Sequence, residues 1–257
     1  MSVHPTAIVA DTARLAADVE VGPYSVIGDG VEIGSGTTVA AHVVINGPTV
    51  IGRDNRFYQF CSVGDDPQDK KYAGEKTRLV IGDCNTVREY CTLSRGTVQD
   101  AGETRIGSNN WIMAYVHVAH DCVIGDNCIL ANNATLAGHV RLGDWVILGG
   151  FTGIHQFCRI GAHAFLGMFS VVSQDVPAYV TMSGHPAAPK GINSEGLKRR
   201  GFAPEQVRNI KNAYRIVFRQ GRKLADAIAE IARLAPAQPE LDVFLESLRS
   251  SERGVAR

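Results

Sequence analysis

The chain is expected to be mainly β: a left-handed parallel β-helix of hexapeptide repeats over residues 1–189, followed by a small basic α-helical domain over 190–257. Three observations predict this. Branched aliphatic residues recur every sixth position, first from Val3 through Val9, Leu15, Val21, Ile27, Ile33, Val39 and Ile45 to Ile51, then unbroken from Ile106 to Val172. Glycine commonly follows the repeat residue, as at Gly22, Gly34, Gly125 and Gly161, and a small residue sits four places after it, as at Ser25, Thr37, Cys61, Cys128 and Ala164. Helix faces recur at about 3.6 residues and strand faces at 2, so a period of six implies a short flat face, a corner and another face.

Taken in order, three hexads make one coil of 18 residues, with neighbouring coils one parallel-strand spacing apart, roughly 4.8 Å. Glycine after the aliphatic suits a corner that needs positive φ or close backbone approach. Five of the six cysteines (Cys61, Cys91, Cys122, Cys128 and Cys158) take the small stacking position, which predicts buried, unpaired thiols rather than disulfides. The repeat breaks over 65–80 and again over 99–105. Both segments read as loops thrown outward from a corner, the first with functional content. After Val172 the segment QDVPAYVTMSGHPAAPKGIN reads as an irregular connection. Helical spacing then appears at Val207, Ile210, Tyr214, Val217 and Phe218, at Leu224, Ile228, Ile231 and Leu234, and at Leu241, Phe244, Leu245 and Leu248 beyond the break at Pro236 and Pro239.

Composition narrows the function classes. No apolar run reaches the ~20 residues of a membrane span, and the N-terminus lacks a basic segment followed by an apolar stretch, so a cytoplasmic protein with no membrane span is expected. The formal charge is zero, yet Lys190 to Lys223 holds ten basic residues and two acidic ones. An anionic partner fits this excess. Nucleic acid does not, because aromatic stacking platforms are not interleaved with the basic residues. Met113, Tyr115, Phe151, Phe157, Phe165, Met168 and Phe169 fall off the repeat phase and look too apolar for solvent. They predict a side-by-side homotrimer with clefts between subunits.

Candidate chemistry sits in the histidines. Val118, Leu136 and Ile154 are successive 18-residue equivalents, and His120, His139 and His155 lie two, three and one residues after them, which predicts a cluster on one edge with His117 beside it. Three histidines could hold zinc with an open position, but their uneven phases aim the rings differently, and no metal is expected. A general base fits better, since imidazole can take a proton from a hydroxyl and return it to a leaving group, with Asp121 orienting His120. No GxSxG turn supplies a nucleophile, so direct transfer between two bound substrates is favoured. A metal-dependent hydrolase of γ-carbonic anhydrase type, another hexapeptide acyltransferase and a purely structural β-helix stay open at this level.

The run VHVAHDCVIGDNCILANNATLAGHV from Val116, IHQFCRIGAH from Ile154 and NSEGLKRRGF from Asn193, together with RDNRFYQF, DKKYAGEKTR and SRGTVQ, closely resembles the UDP-N-acetylglucosamine O-acyltransferases, which begin lipid A synthesis. The resemblance covers essentially the whole chain in order. It implies transfer of a (3R)-3-hydroxyacyl group from acyl carrier protein to the glucosamine 3-hydroxyl of UDP-N-acetylglucosamine. No cofactor is implied, the carrier's phosphopantetheine thioester being a substrate. By the same resemblance His120 is the general base, Asp121 orients it, and the Gly138 N–H meets the developing oxyanion. Asp69, Lys71, His117, His139 and Gln156 contact the sugar nucleotide or the acyl donor, and His155, placed on the same edge by its spacing, is expected to join the substrate-binding set. Asn193, Glu195, Arg199 and Arg200 hold the nucleotide, from an adjacent subunit. Met168 matches the position that limits acyl length and implies a donor of about 10 carbons, because an occupied volume cannot also hold methylenes. The basic domain then suits the acidic carrier protein. Two departures bear on substrate contacts: Ser94 stands where many relatives have His, and Pro186 replaces another family His.

Overall fold

The structure, a computed structural model, describes residues 2–257 and is a left-handed parallel β-helix capped by helices. Most strands are two residues long, and they stack into three sheets of eleven, nine and eight strands. The first sheet begins with Ser2–Val3, the second with Ile8–Val9 and the third with Arg14–Leu15. Register follows the 18-residue coil, as in Ser2 against Glu20 and Trp111 against Ile129. It lengthens twice. Arg56 pairs with Thr86 and Thr86 with Trp111, so the two loop excursions add twelve and seven residues without disturbing the stack.

Repeat aliphatics from Val21 to Val172 are buried, as are the small residues stacked between them. All six cysteines are free, and the five stacked ones are buried, while Cys84 is exposed. Burial pushes the thiols of Cys122 and Cys128 up to about 12 and that of Cys158 up to about 11, which keeps them protonated and inert. Inside the prism Asn55, Asn85 and Asn110 form a ladder, each Oδ1 accepting the N–H of the corresponding residue one coil on.

The corners divide the labour differently from the sequence expectation. Within the regular coils the glycine after the aliphatic does not carry positive φ; Gly64, which follows Val63 where the first excursion begins, does, with φ of 72°. The coil glycine is required by approach: a Cβ on Gly22 would lie 2.8 Å from the Ala40 carbonyl carbon, and one on Gly34 would lie 2.6 Å from the Gly52 oxygen. Positive φ falls two residues later, on non-glycine residues that run every six positions from Asn109 to Phe169. Tyr115, Phe151, Phe157 and Phe169 are therefore on a phase of the repeat after all. Left-handed backbone costs about 1–2 kcal/mol at such a residue. Along the corner from the first sheet to the second, Tyr24, His42, Phe60, Tyr90 and Tyr115 stack at 4.9 to 5.1 Å between centroids, and stacked pairs return about 0.5–1.5 kcal/mol each.

Beyond Val172 the chain is less irregular than expected. Val180–Ser183 pairs in parallel with Phe165–Leu166, then turns back as an antiparallel hairpin with Ala188–Ile192, so the boundary expected at 189/190 lies inside a strand. Helix α1 (Ser194–Arg199) follows, then α2 (Pro204–Phe218), α3 (Leu224–Leu234) and α4 (Asp242–Arg249). The last three match the helical spacing, with Ile210, Tyr214, Val217, Ile231, Phe244 and Leu248 buried. Pro236 and Pro239 each sit in a 3₁₀ turn between α3 and α4. The chain then returns to the β-helix: buried Asp175 accepts the Ser251 hydroxyl and the N–H groups of Glu252 and Arg253.

Candidate active site

The corner from the second sheet to the third holds the site. After each aliphatic of Val118, Leu136 and Ile154, three columns run up the prism: Ala119, Ala137 and His155; then His120, Gly138 and Gln156; then Asp121, His139 and Phe157. Gly138 is required by its neighbour, since a Cβ there would lie 2.5 Å from the His120 ring. Asp121 and His139 take the left-handed corner conformation, with φ of 59° and 63°.

Asp121 is the hub. Its side chain is 1% exposed. Its Oδ1 accepts the Thr97 N–H at 2.9 Å, and its Oδ2 accepts the Thr97 hydroxyl at 2.6 Å and the His120 Nδ1–H at 2.8 Å. Its own N–H donates to Thr104 Oγ1 at 2.8 Å. Burial works to raise the proton affinity of this carboxyl, but the bonds from His120 and Thr97 outweigh it and hold Asp121 below the usual carboxylate range. An ionised Asp121 fixes the proton of neutral His120 on Nδ1, which leaves the Nε2 lone pair as the basic atom.

His139 crosses His120 edge to face, at 5.1 Å and 90°, and stacks on Phe157 at 4.4 Å. Its Nδ1 lies 3.1 Å from Asp100 Oδ2, and its Nε2 lies 3.8 Å from Asp121 Oδ2. Two imidazoles thus each hold a carboxylate. The second loop excursion, which carried no functional expectation, supplies Asp100 and Thr104, with Thr97 just before it. Sequence spacing gave no signal for these, because loop residues have no phase.

The first excursion reaches the same place. A cavity of about 780 Å³ is lined by Gln68, Asp69 and Lys71 from that loop, by His120, His139, Gln156 and Phe157, and by Gln99, Asp100, Arg141, Arg159 and Glu252. Buried Arg95 ties the loop down, donating to the Gly47 and Gly64 carbonyls at 2.8 and 3.0 Å, to the Tyr72 hydroxyl at 2.9 Å and to Asp66. The Lys71 N–H donates to Asp69 Oδ1 at 3.0 Å.

The remaining expected residues lie elsewhere in the chain. His155, one column off, is exposed and does not line the cavity; its Nδ1 faces Arg253 Nη2 at 3.4 Å. His120 and His139 thus share the cavity, and His155 stands at the same corner outside its lining. His117 is half-buried, bonded through Nδ1 to Thr92 Oγ1 at 2.7 Å, and burial and the nearby His120 lower its proton affinity. Asn193 caps α1 through the Gly196 N–H and donates to the His163 carbonyl. Glu195 pairs with Lys198 at 2.8 Å, and Arg199 is exposed. Arg200 donates to His163 Nδ1 at 3.1 Å and lies over Trp145. None of these four lines the His120 cavity. Met168 is 63% exposed on the aromatic corner, Ser94 is buried in a strand of the second sheet, and Pro186 lies in the hairpin turn.

Among the described residues, His120, Asp121 and His139 are the group able to bring three metal-ligand atoms within 4.8 Å of one another. Asp121 Oδ2 already accepts two hydrogen bonds, so its capacity for a cation is largely used. The arrangement is suited to moving a proton at His120 Nε2.

Residues 12–47 and 103–138 match the bacterial transferase hexapeptide family, and residues 175–256 match the second domain of UDP-N-acetylglucosamine O-acyltransferase. The acyl-[acyl-carrier-protein] UDP-N-acetylglucosamine O-acyltransferase of Thiobacillus denitrificans is 60% identical, covering 100% of this chain and 99% of the relative. That of Stutzerimonas stutzeri is 56% identical, covering 99% of each. The solved UDP-N-acetylglucosamine O-acyltransferase of Moraxella catarrhalis superposes with a TM-score of 0.98 at 46% identity over 100% of both chains. That of Francisella novicida gives 0.98 at 42%, over 99% of this chain and 94% of the other. With a hexapeptide coil, a buried carboxylate hydrogen-bonded to the His120 imidazole and relatives this similar over their full length, the chain is an acyltransferase and belongs to the UDP-N-acetylglucosamine O-acyltransferase family.

Proposed function

We propose that this protein transfers a (3R)-3-hydroxyacyl group from acyl carrier protein to the glucosamine 3-hydroxyl of UDP-N-acetylglucosamine, the first step of lipid A biosynthesis. The observation that carries the mechanism is the chain Thr97, Asp121, His120, which leaves one lone pair, at His120 Nε2, on the wall of the cavity. His120 Nε2 takes the proton as the sugar oxygen attacks the thioester carbonyl. The C–O bond forms, the C–S bond breaks with its electron pair leaving on sulfur, and the proton returns to the thiolate. General-base assistance contributes roughly 10²–10⁴-fold. The Gly138 N–H donates to no protein acceptor among the described residues, which leaves it for the developing oxyanion. The donor's thioester is itself a substrate, so no cofactor is required.

Finer assignments belong to the same proposal. Asp69, Lys71, His139 and Gln156 hold substrate in the cavity, and His117 and His155 contribute from its edge. Asn193, Glu195, Arg199 and Arg200 hold the nucleotide from an adjacent subunit of a cytoplasmic homotrimer, whose contact surface includes the exposed ridge of Tyr24, Phe60, Tyr90, Tyr115, Phe151 and Phe169. Met168, on that ridge, closes the acyl channel and favours a donor of about 10 carbons over about 14. The two domains meet their ligands in different ways, the coil holding substrate and the basic helices receiving the acidic carrier protein.

The test is a transfer assay with UDP-N-acetylglucosamine and hydroxyacyl carrier proteins of graded length. His120→Ala should lose kcat by about 10²-fold or more with the trimer intact. Full activity in that variant would remove His120 as the base, and preference for the longest donor would remove Met168 as the ruler.

A further inference from the structure

Strand register places Arg141 directly beside Arg159 on neighbouring coils of the third sheet. Like charges at directly paired positions destabilise a sheet. The hexad itself does not call for arginine there, since the residue paired on the other side of Arg141 is Val123. Arg159 is met by Glu252 from the C-terminal tail, whereas Arg141 has no acidic partner among the described residues. Both line the His120 cavity. Nor is the pair a loose surface patch: Asp175 accepts the Arg159 N–H through Oδ1 at 2.7 Å, and the N–H groups of Glu252 and Arg253 through Oδ2 at 2.8 and 2.9 Å. One buried carboxylate thereby fixes the strand and the tail against each other.

Like charge at paired positions on the wall of a reaction cavity, with the backbone fixed at Arg159 and one arginine half neutralised by an exposed acid, is what an anion subsite looks like when its anion is absent. Resting on the transfer reaction proposed above, we propose that Arg141 and Arg159 form a phosphate-binding subsite for one of the two substrates, with Glu252 as an internal competitor for Arg159. Planar guanidinium forks suit phosphate oxygens. Two phosphate sources could fill the subsite: the phosphodiester that joins the donor's thiol arm to its carrier, and the diphosphate of the nucleotide sugar.

Steady-state kinetics on the full-length protein separate these. The double variant Arg141→Ser, Arg159→Ser should raise one KM about tenfold or more, the scale of lost charged hydrogen bonds, with kcat held within about threefold. A rise for the acylated carrier protein identifies the phosphodiester, and a rise for UDP-N-acetylglucosamine identifies the diphosphate. Glu252→Gln should lower the same KM, and added salt should shrink both differences. The double variant should melt no lower than wild type, because it relieves repulsion. Calorimetric titration with inorganic pyrophosphate reads the subsite without any turnover, the double variant losing one binding site per chain relative to wild type while any binding at Arg199 and Arg200 is common to both. Both KM values unchanged within about twofold, or a loss confined to kcat, would overturn the subsite. A wild type that binds pyrophosphate at these arginines yet transfers no acyl group would instead overturn the reaction and keep the subsite.

Discussion

Two corners of the same prism use the same backbone for opposite purposes. At the corner between the first and second sheets, the left-handed positions carry Tyr24, Phe60, Tyr90, Tyr115, Phe151 and Phe169, while the column beside them holds Asn132, Gly150 and Met168. At the next corner the left-handed positions carry Asp121, His139 and Phe157, and the equivalent column holds His120, Gly138 and Gln156. Met168 thus occupies, on the aromatic corner, the kind of position that His120 occupies on the polar one. The conformations match; the surroundings do not. Both loop excursions reach the polar corner, bringing Thr97, Thr104, Asp100, Asp69 and Lys71 around His120, whereas the aromatic corner is left as an exposed apolar ridge. A regular coil supplies equivalent sites, and irregular loops decide which of them acquires chemistry.

The largest contrast should come from the carboxylates. Asp121→Asn keeps the shape but loses the charge that fixes and supports His120, so kcat should fall by about 10²–10⁴-fold with KM little changed. Asp100→Asn removes the partner of His139 rather than of the base, and its loss should be about tenfold or less and show mainly in KM. Equal losses in kcat from both variants would erase the distinction between base and binding residue.

A smaller effect separates the two columns. Gly138→Ala drives a methyl group into the His120 ring, and a base displaced by about an ångström should cost about 10²-fold in rate. At the matching position on the aromatic corner the nearest atoms to an added Cβ are Asn132 O at 3.4 Å and Met168 Cε at 3.8 Å, so Gly150→Ala should fold and turn over like wild type. Turnover rates of the two alanine variants, measured side by side, check this. If both lose activity alike, close approach at Gly138 is not special to the site.

The smallest effect concerns stability away from either corner. His163, stacked between Trp145 and Tyr179, is held to about 4 by burial and by Arg200, below its ordinary value near 6.5. The unfolded chain therefore takes a proton that the folded one refuses. Its contribution is fully present above about pH 6.5 and is lost as pH falls toward 4. His117, also depressed, adds to the same trend. Melting points between pH 7 and pH 5 should fall less steeply in His163→Gln than in wild type, and identical slopes would clear His163 of the effect.

Much of the fold was legible because hexad packing is local and repeated: a missed position is corrected by the next coil. The repeat placed the buried aliphatics, the stacked thiols and both excursions, and helical spacing found α2, α3 and α4. Three features escaped it. The hairpin after Val172 escaped because its strands pair through Leu166 and Met182 rather than through a continued hexad. The corner phase of Tyr115 and Phe151 escaped because aromatic side chains rarely take left-handed backbone unless stacked neighbours compensate. His155 lies one residue off the phase of His120, an offset that looks small in sequence, yet at a corner it puts the side chain on another column.

The sequence by itself determined the coil, because a six-residue period has few physical solutions, and it marked His120 beside Asp121 as neighbours in the chain. Only the tertiary structure decided which atom of His120 is basic and which groups surround it. Thr97, Asp100, Arg141, Arg159 and Glu252 come from one loop, two coils and the tail, and their contacts at the site depend on the path of that loop and on Asp175 holding the chain end. Periodicity is written by short-range packing, while the site is assembled across a sequence separation of 184, from Gln68 to Glu252, and no local rule carries that distance.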